Sequence, residues 1–149
     1  MSISSSSHSV PHTSQIRRVP RLVRSGLMAG ACALVVVEMY AAIARGLGVY
    51  FRAGFPGAST VQTITPASFA TGILVATFWG TIVAAVIARK AKRPARTFTA
   101  VAVGATLISL ITPLAATGAS PTTKLTLVGA HLLAGTVMTL ILRRGLTCA

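Results

Sequence analysis

An all-α integral membrane protein, a bundle of four transmembrane helices, is the fold class this sequence predicts, on three observations. Of its 149 residues, 53% are hydrophobic and only 10% are charged, whereas a soluble domain carries about a quarter charged residues. The mean hydropathy is +0.76. Four long runs are apolar: 26–44, interrupted only by Glu38, and 53–88, 97–123 and 125–142, which contain no acidic residue, lysine or arginine. Crossing the hydrocarbon core takes about 20 mainly apolar residues in a helix. Each run supplies that length once tilt and snorkelling ends are allowed.

The elements follow in order. Residues 1–19, beginning MSISSSSHSVPHTSQ, are serine-rich with too little apolar content to fold alone, which predicts a disordered cytoplasmic tail. His8 and His12 have no thiolate or carboxylate nearby, so no metal site is expected there. The four-helix domain occupies 20–145, with helices at about 22–46, 66–89, 95–117 and 122–143 by the pattern of apolar runs. Pro20, Pro66, Pro94 and Pro121 each precede an apolar run, two of them behind the capping residues Thr65 and Ser120. Proline suits the first helical turn because its missing N–H would be unpaired there anyway. Pro113, after Thr112, lies inside the third run and predicts a kink near one end of that helix. Arg17-Arg18 ahead of an apolar run, with Ala42-Ile43-Ala44 behind it, has the outline of a signal peptide. The run is long for a signal core, and an uncleaved first helix is the reading adopted.

Orientation follows from the basic residues. Arg17, Arg18, Arg21 and Arg24 precede the first helix; Arg89, Lys90, Lys92, Arg93 and Arg96 lie between the second and third; Arg143 and Arg144 follow the fourth. Only Arg45, Arg52 and Lys124 fall on the opposite side. The basic side is expected to be cytoplasmic, which places both termini inside. The net charge of +13 then reads as a topology signal, with anionic lipid headgroups as partners at that face. Nucleic acid is not an expected partner, because no aromatic residues interleave with the basic clusters in a groove-like pattern.

No CxxC, P-loop, GxSxG or HExxH pattern occurs, and with Cys32 inside the first helix and Cys148 in the cytoplasmic tail no bridge is expected. The connections are too short for a catalytic domain, so neither enzyme activity nor a cofactor is expected. An internal echo links residues 65–89 to 120–144: an opening proline, a Gly-Thr and a closing arginine recur at an offset of 55. Two related helical hairpins would produce it. The long connection after the first helix carries Tyr50, Phe51 and Phe55, expected as an interfacial belt.

Three segments also carry a family resemblance: Ile64-Thr65-Pro66 opening the second helix, RPARTF at 93–98, and TKLTLVGAHLLAG around His131. Across residues 20–144 the chain resembles an uncharacterised actinobacterial family of small four-helix membrane proteins, the domain of unknown function 6069. The resemblance implies a four-span integral protein of a bacterial cytoplasmic membrane and no particular activity.

Glu38 is the only acidic residue in the chain. A charge at a helix centre costs about 2.5–3.5 kcal/mol on insertion scales, so a partner inside the bundle is expected. His131 lies at a matching depth. Glu38 is eight residues from Gly46 and His131 six from Leu125, roughly 12 Å and 9 Å at the helical rise. Small residues flank both: Ala41 and Ala42, and Ala134 and Gly135. Arg45, on the same face as Glu38, is a second candidate partner but is expected to snorkel outward. Trp79, mid-helix, is expected in the core or lining a cavity.

Two functional readings follow. The plainer is a structural or accessory membrane component whose Glu38–His131 pair clasps the bundle, alone, as a homo-oligomer or within a larger membrane complex. The alternative is a small proton-coupled transporter or efflux protein with Glu38 as its protonatable site. The small multidrug-resistance transporters are similar in architecture only, and the strong basic asymmetry here counts against their dual orientation.

Overall fold

The computed structural model describes residues 18–147; His8, His12, Arg17 and the rest of the serine-rich stretch before them, and Cys148, lie outside the described residues. The helices are α1 (Arg18–Gly46), α2 (Pro66–Lys90), α3 (Pro94–Ser109), α4 (Ile111–Leu114) and α5 (Pro121–Thr147). Strands β1 (Arg52–Ala53) and β2 (Gln62–Thr63) form an antiparallel pair within the α1–α2 connection. Four segments are long and apolar enough to cross a membrane: Pro20–Gly46, Pro66–Lys90, Pro94–Leu114 and Pro121–Thr147. The fold is therefore the all-α bundle of four spans that composition predicts.

The starts of α2 and α5 share one chemistry. The Thr65 N–H donates to Ser68 Oγ at 3.3 Å, and the Thr123 N–H donates to Ser120 Oγ at 3.1 Å. In both, a hydroxyl residue precedes the proline and a second hydroxyl follows two residues later. Backbone N–H groups at each helix start are thereby satisfied by side chains. The internal echo does not extend to packing. Thr81 faces Gly26 of α1, whereas the equivalent Gly-Thr in α5 presents its glycine, Gly135, to Thr106 of α3.

The third span is interrupted at Leu110, whose backbone stays in the right-handed helical region (φ −67°, ψ −19°), as a kink near one end requires. Pro113 has no N–H to offer the carbonyl of Ser109, and α3 ends there, with Leu110 turning through a 3.2 Å bond from its N–H to Leu107 O before α4 resumes. The Ser109 hydroxyl turns back to Thr106 O at 2.7 Å, so the sequence expectation of one helix over 95–117 gives way to two pieces.

The helices alternate in direction. α1 and α5 form the most extensive pair, α2 packs on α1 and α3 on α5, while α2 and α3 meet more lightly. Between lipid-embedded helices the hydrophobic effect supplies little drive, and close approach through small residues takes over. Gly26 and Gly30 receive Thr81 and Thr77 of α2; Gly145 and Gly129 receive Ser25 and Tyr40 of α1. Thr77 and Thr81 spend their hydroxyls on carbonyls four residues back, each at 2.7 Å, so they pack without unmet polar groups. The buried layer comprises Leu22, Ala29, Ala33 and Val37 of α1 with Ala84, Met138, Leu142 and Leu146.

This packing separates two kinds of glycine. A Cβ at Gly30 would lie 2.5 Å from Thr77 Oγ1, whereas one at Gly72 would meet nothing within 4 Å. Gly30→Ala should therefore destabilise the bundle by about 1–3 kcal/mol through overpacking. Gly72→Ala should be neutral or stabilise by up to about 1 kcal/mol through helix propensity. Thermal melts of both variants in one detergent check the contrast, and equal effects would contradict this seam.

Candidate functional site

The contacts of α1 determine where its carboxylate points. Tyr40 marks the side turned to α5, and Gly30 the side turned to α2. At about 100° per residue, Glu38 points about 160° away from Tyr40 and about 80° from Gly30. It therefore stands on the flank of α1 beyond α2, away from the α5 seam. Arg45, seven residues later, shares that flank.

The expected outward snorkelling of Arg45 does not occur. Its side chain folds back so that Nη1 lies 4.0 Å from Glu38 Oε2 and its guanidinium carbon 5.1 Å from the Phe51 ring centroid. At 4.0 Å the ion pair is too long for a hydrogen bond and acts through charge alone. Glu38 Oε1 and Arg45 Nη2 are shut off from solvent and make no hydrogen bond. A guanidinium over an aromatic face gains up to about 2 kcal/mol when desolvated, which offsets what it forgoes in water.

Phe51 reaches this position because the connection folds back over the helix end. Gly48 takes a φ of 83°, a left-handed turn that suits glycine. Beyond it the Ile64 N–H donates to Phe51 O at 2.8 Å, and Thr123 Oγ1 donates to Tyr50 O at 2.9 Å. Phe51 is buried against Ala41, Ala44 and Leu127. Phe69 of α2 meets it edge to face, with centroids 5.8 Å apart at 87°. The expected belt of three aromatics is thus split: Tyr50 and Phe55 are exposed and Phe51 is core. The hairpin is pinned to the far side of the bundle as well. Gly54 and Thr117 exchange backbone hydrogen bonds of 2.9 and 3.2 Å, and Thr117 Oγ1 donates to Phe55 O at 3.1 Å.

His131 does not pair with Glu38. Its Nδ1 lies 2.9 Å from Leu127 O; a carbonyl only accepts, so Nδ1 donates to its own helix rather than across the bundle. The contacts of Ser25 with Gly145 and of Tyr40 with Gly129 do set residues 38 and 131 at one level. Depth matches, and direction around α1 does not. The expected Glu38–His131 clasp is therefore replaced by Glu38–Arg45.

Residues 17–147 match one family. The chain belongs to the family of unknown function DUF6069. No curated protein and no solved structure matches it.

The other candidates of this DUF6069 chain lie apart from the charged corner. Trp79 is neither core nor cavity lining: it is 59% exposed midway along α2, edge to face with the equally exposed Phe78 at 5.6 Å. Thr112 is exposed and Pro113 buried at the break of the third span. A shallow open cleft of about 470 Å³ lies at the hairpin end, lined by Tyr50, Arg52, Ser120 and Thr122 among others. Sequence reasoning missed Phe51 and Phe69 as parts of the site, and nothing local distinguishes Phe51 from Tyr50 or Phe55. Thr123, 1% exposed, was within reach of it through the Ser-Pro-x-Thr start of α5.

Double-mutant cycles test these assignments. Glu38→Ala and Arg45→Ala should each destabilise the protein, and together cost about 0.5–3 kcal/mol less than their sum, because each single change strands a half-buried charge. Glu38→Ala and His131→Ala should instead add within about 0.5 kcal/mol. Unfolding free energies in detergent measure both cycles. Coupling in the second and none in the first would restore the His131 partnership.

Proposed function

We propose that this DUF6069 chain is a structural or accessory component of a bacterial, actinobacterial, cytoplasmic membrane, with both termini inside and no enzymatic activity or cofactor of its own. One observation carries the reading: the spans share their surfaces unequally. α1 and α5 bury 28% of their most apolar windows within the bundle, α2 and α3 only 11%. The exposed strip on α2 includes Leu74, Val75, Phe78, Trp79 and Val86. Large aromatics at mid-span, away from the interfacial depth they favour, suit packing against helices of a larger membrane complex.

At the opposite end to the hairpin, Arg21, Arg24, Arg143 and Arg144 and the basic residues of 89–96 are all exposed. Among the described residues no carboxylate side chain is near them, since Glu38, the one acidic residue of the sequence, belongs to the hairpin half of α1. Anionic lipid headgroups are the partners this end fits, each basic side chain near the surface contributing about 1 kcal/mol.

Two measurements test the proposal. A membrane-impermeant thiol reagent should leave Cys148 unlabelled in intact cells and label it after lysis; labelling in intact cells would reverse the orientation. A photoreactive amino acid at Trp79 should yield discrete protein adducts in native membranes, whereas lipid adducts alone would remove the accessory reading. Adducts to a second copy of this chain would instead identify a homo-oligomer.

The alternative, a small proton-coupled transporter with Glu38 as its protonatable site, draws on the unpartnered Oε1. Under it, Glu38→Gln abolishes proton-linked uptake into vesicles; under the accessory reading, Glu38→Gln leaves the Trp79 adducts intact.

A further inference from the structure

We propose that Glu38 and Phe51, its ring braced edge-on by Phe69, form a recognition site for a monovalent organic cation of the guanidinium or alkylammonium class, and that Arg45 occupies it as an internal ligand. The inference goes beyond the accessory reading and does not depend on it.

Three observations carry it. First, Arg45 is one residue from the end of α1, where its side chain has a short route to the headgroups, yet it turns inward. Second, what holds it is indifferent to shape. The carboxylate attracts it across 4.0 Å without a hydrogen bond, and the ring of Phe51 lies beneath it at 5.1 Å. A bidentate carboxylate fork would select guanidinium geometry; charge and a ring face accept other cations equally. Third, the receptor half stands without its occupant. Phe51 is fixed by its backbone bond to Ile64, by Phe69 edge-on and by packing on Ala41, Ala44 and Leu127. Arg45 is already 33% exposed, so a change of its side-chain torsions suffices to vacate the site. A cation that enters satisfies Glu38 while Arg45 gains the polar surroundings it forgoes here.

The test uses full-length protein in a non-ionic detergent and n-propylguanidinium as the probe. Arg45→Ala empties the site, so the probe should raise the melting temperature of this variant by several degrees at concentrations well above its dissociation constant. Wild type should shift less, and the doubly substituted Arg45→Ala, Glu38→Gln protein not at all. Equal shifts in all three would show a general salt effect and overturn the proposal, as would no shift in Arg45→Ala. Should Arg45→Ala not fold, wild type decides alone. The Arg45 Nε–H resonance, assigned by its loss in Arg45→Lys, should move toward that of free arginine as the probe is titrated. A resonance that stays in place to about 100 mM, far above millimolar affinity, overturns the proposal. Repeating the titration in micelles doped with phosphatidylethanolamine separates two sources of the cation. Displacement of Arg45 by the lipid alone identifies a headgroup ammonium as the occupant, and displacement by the probe alone identifies a free cation.

Discussion

Glycine set opposite a hydroxyl-bearing side chain is the contact on which the rest of this bundle depends. Lipid tails are as apolar as leucine, so burying leucine between two helices gains little over leaving it in lipid. What does gain is close approach, where many weak dispersion contacts add up. Gly26 and Gly30 admit Thr81 and Thr77, Gly135 admits Thr106, and Gly145 and Gly129 admit Ser25 and Tyr40. The threonines bring no unmet polar group, since Thr77, Thr81 and Thr106 each bond a carbonyl of their own helix. These contacts set the register of α1 against both neighbours, and with it the direction in which every other α1 side chain leaves the helix.

That dependence explains which features the sequence makes legible. The four spans announce themselves through length and hydropathy, and their starts through Thr65-Pro66 and Ser120-Pro121, because these are local properties. Pro113 announces a disturbance, but its form is set by the carbonyl of Ser109, which loses its donor and ends α3 there. The depth of Glu38 and His131 is also local, a count of residues from each helix end. Direction around the helix is not. It follows from Tyr40 rather than Glu38 meeting α5, and that choice is made by Gly129 and Gly145 on the partner helix. Phe51 shows the same limit, since Tyr50, Phe51 and Phe55 differ only in where a chain turned at Gly48 and paired to Ile64 happens to put them. Trp79 is misjudged for a related reason: an apolar environment at mid-span means the core in a soluble protein, and here it means either core or lipid.

The charged corner adds a further consequence. Three basic side chains stand at the hairpin end, Arg45, Arg52 and Lys124. Arg45 is drawn down to Glu38, and Lys124 Nζ donates to Leu114 O at 3.0 Å, at a helix end whose free carbonyls favour a cation. Among the described residues at this end, Arg52 is the cation without such an engagement. Among the described residues the other end presents nine exposed lysines and arginines and no carboxylate side chain to engage them. A single acid placed among many bases therefore does more than satisfy one arginine. It sits at the end with few cations, where engaging one changes the balance substantially, and leaves untouched the end where engaging one would change little. The two ends of the bundle thus differ in uncommitted charge more sharply than in composition. That difference gives a chain with one carboxylate a physical reason to carry it on the hairpin half of α1, despite the cost of placing it within a span.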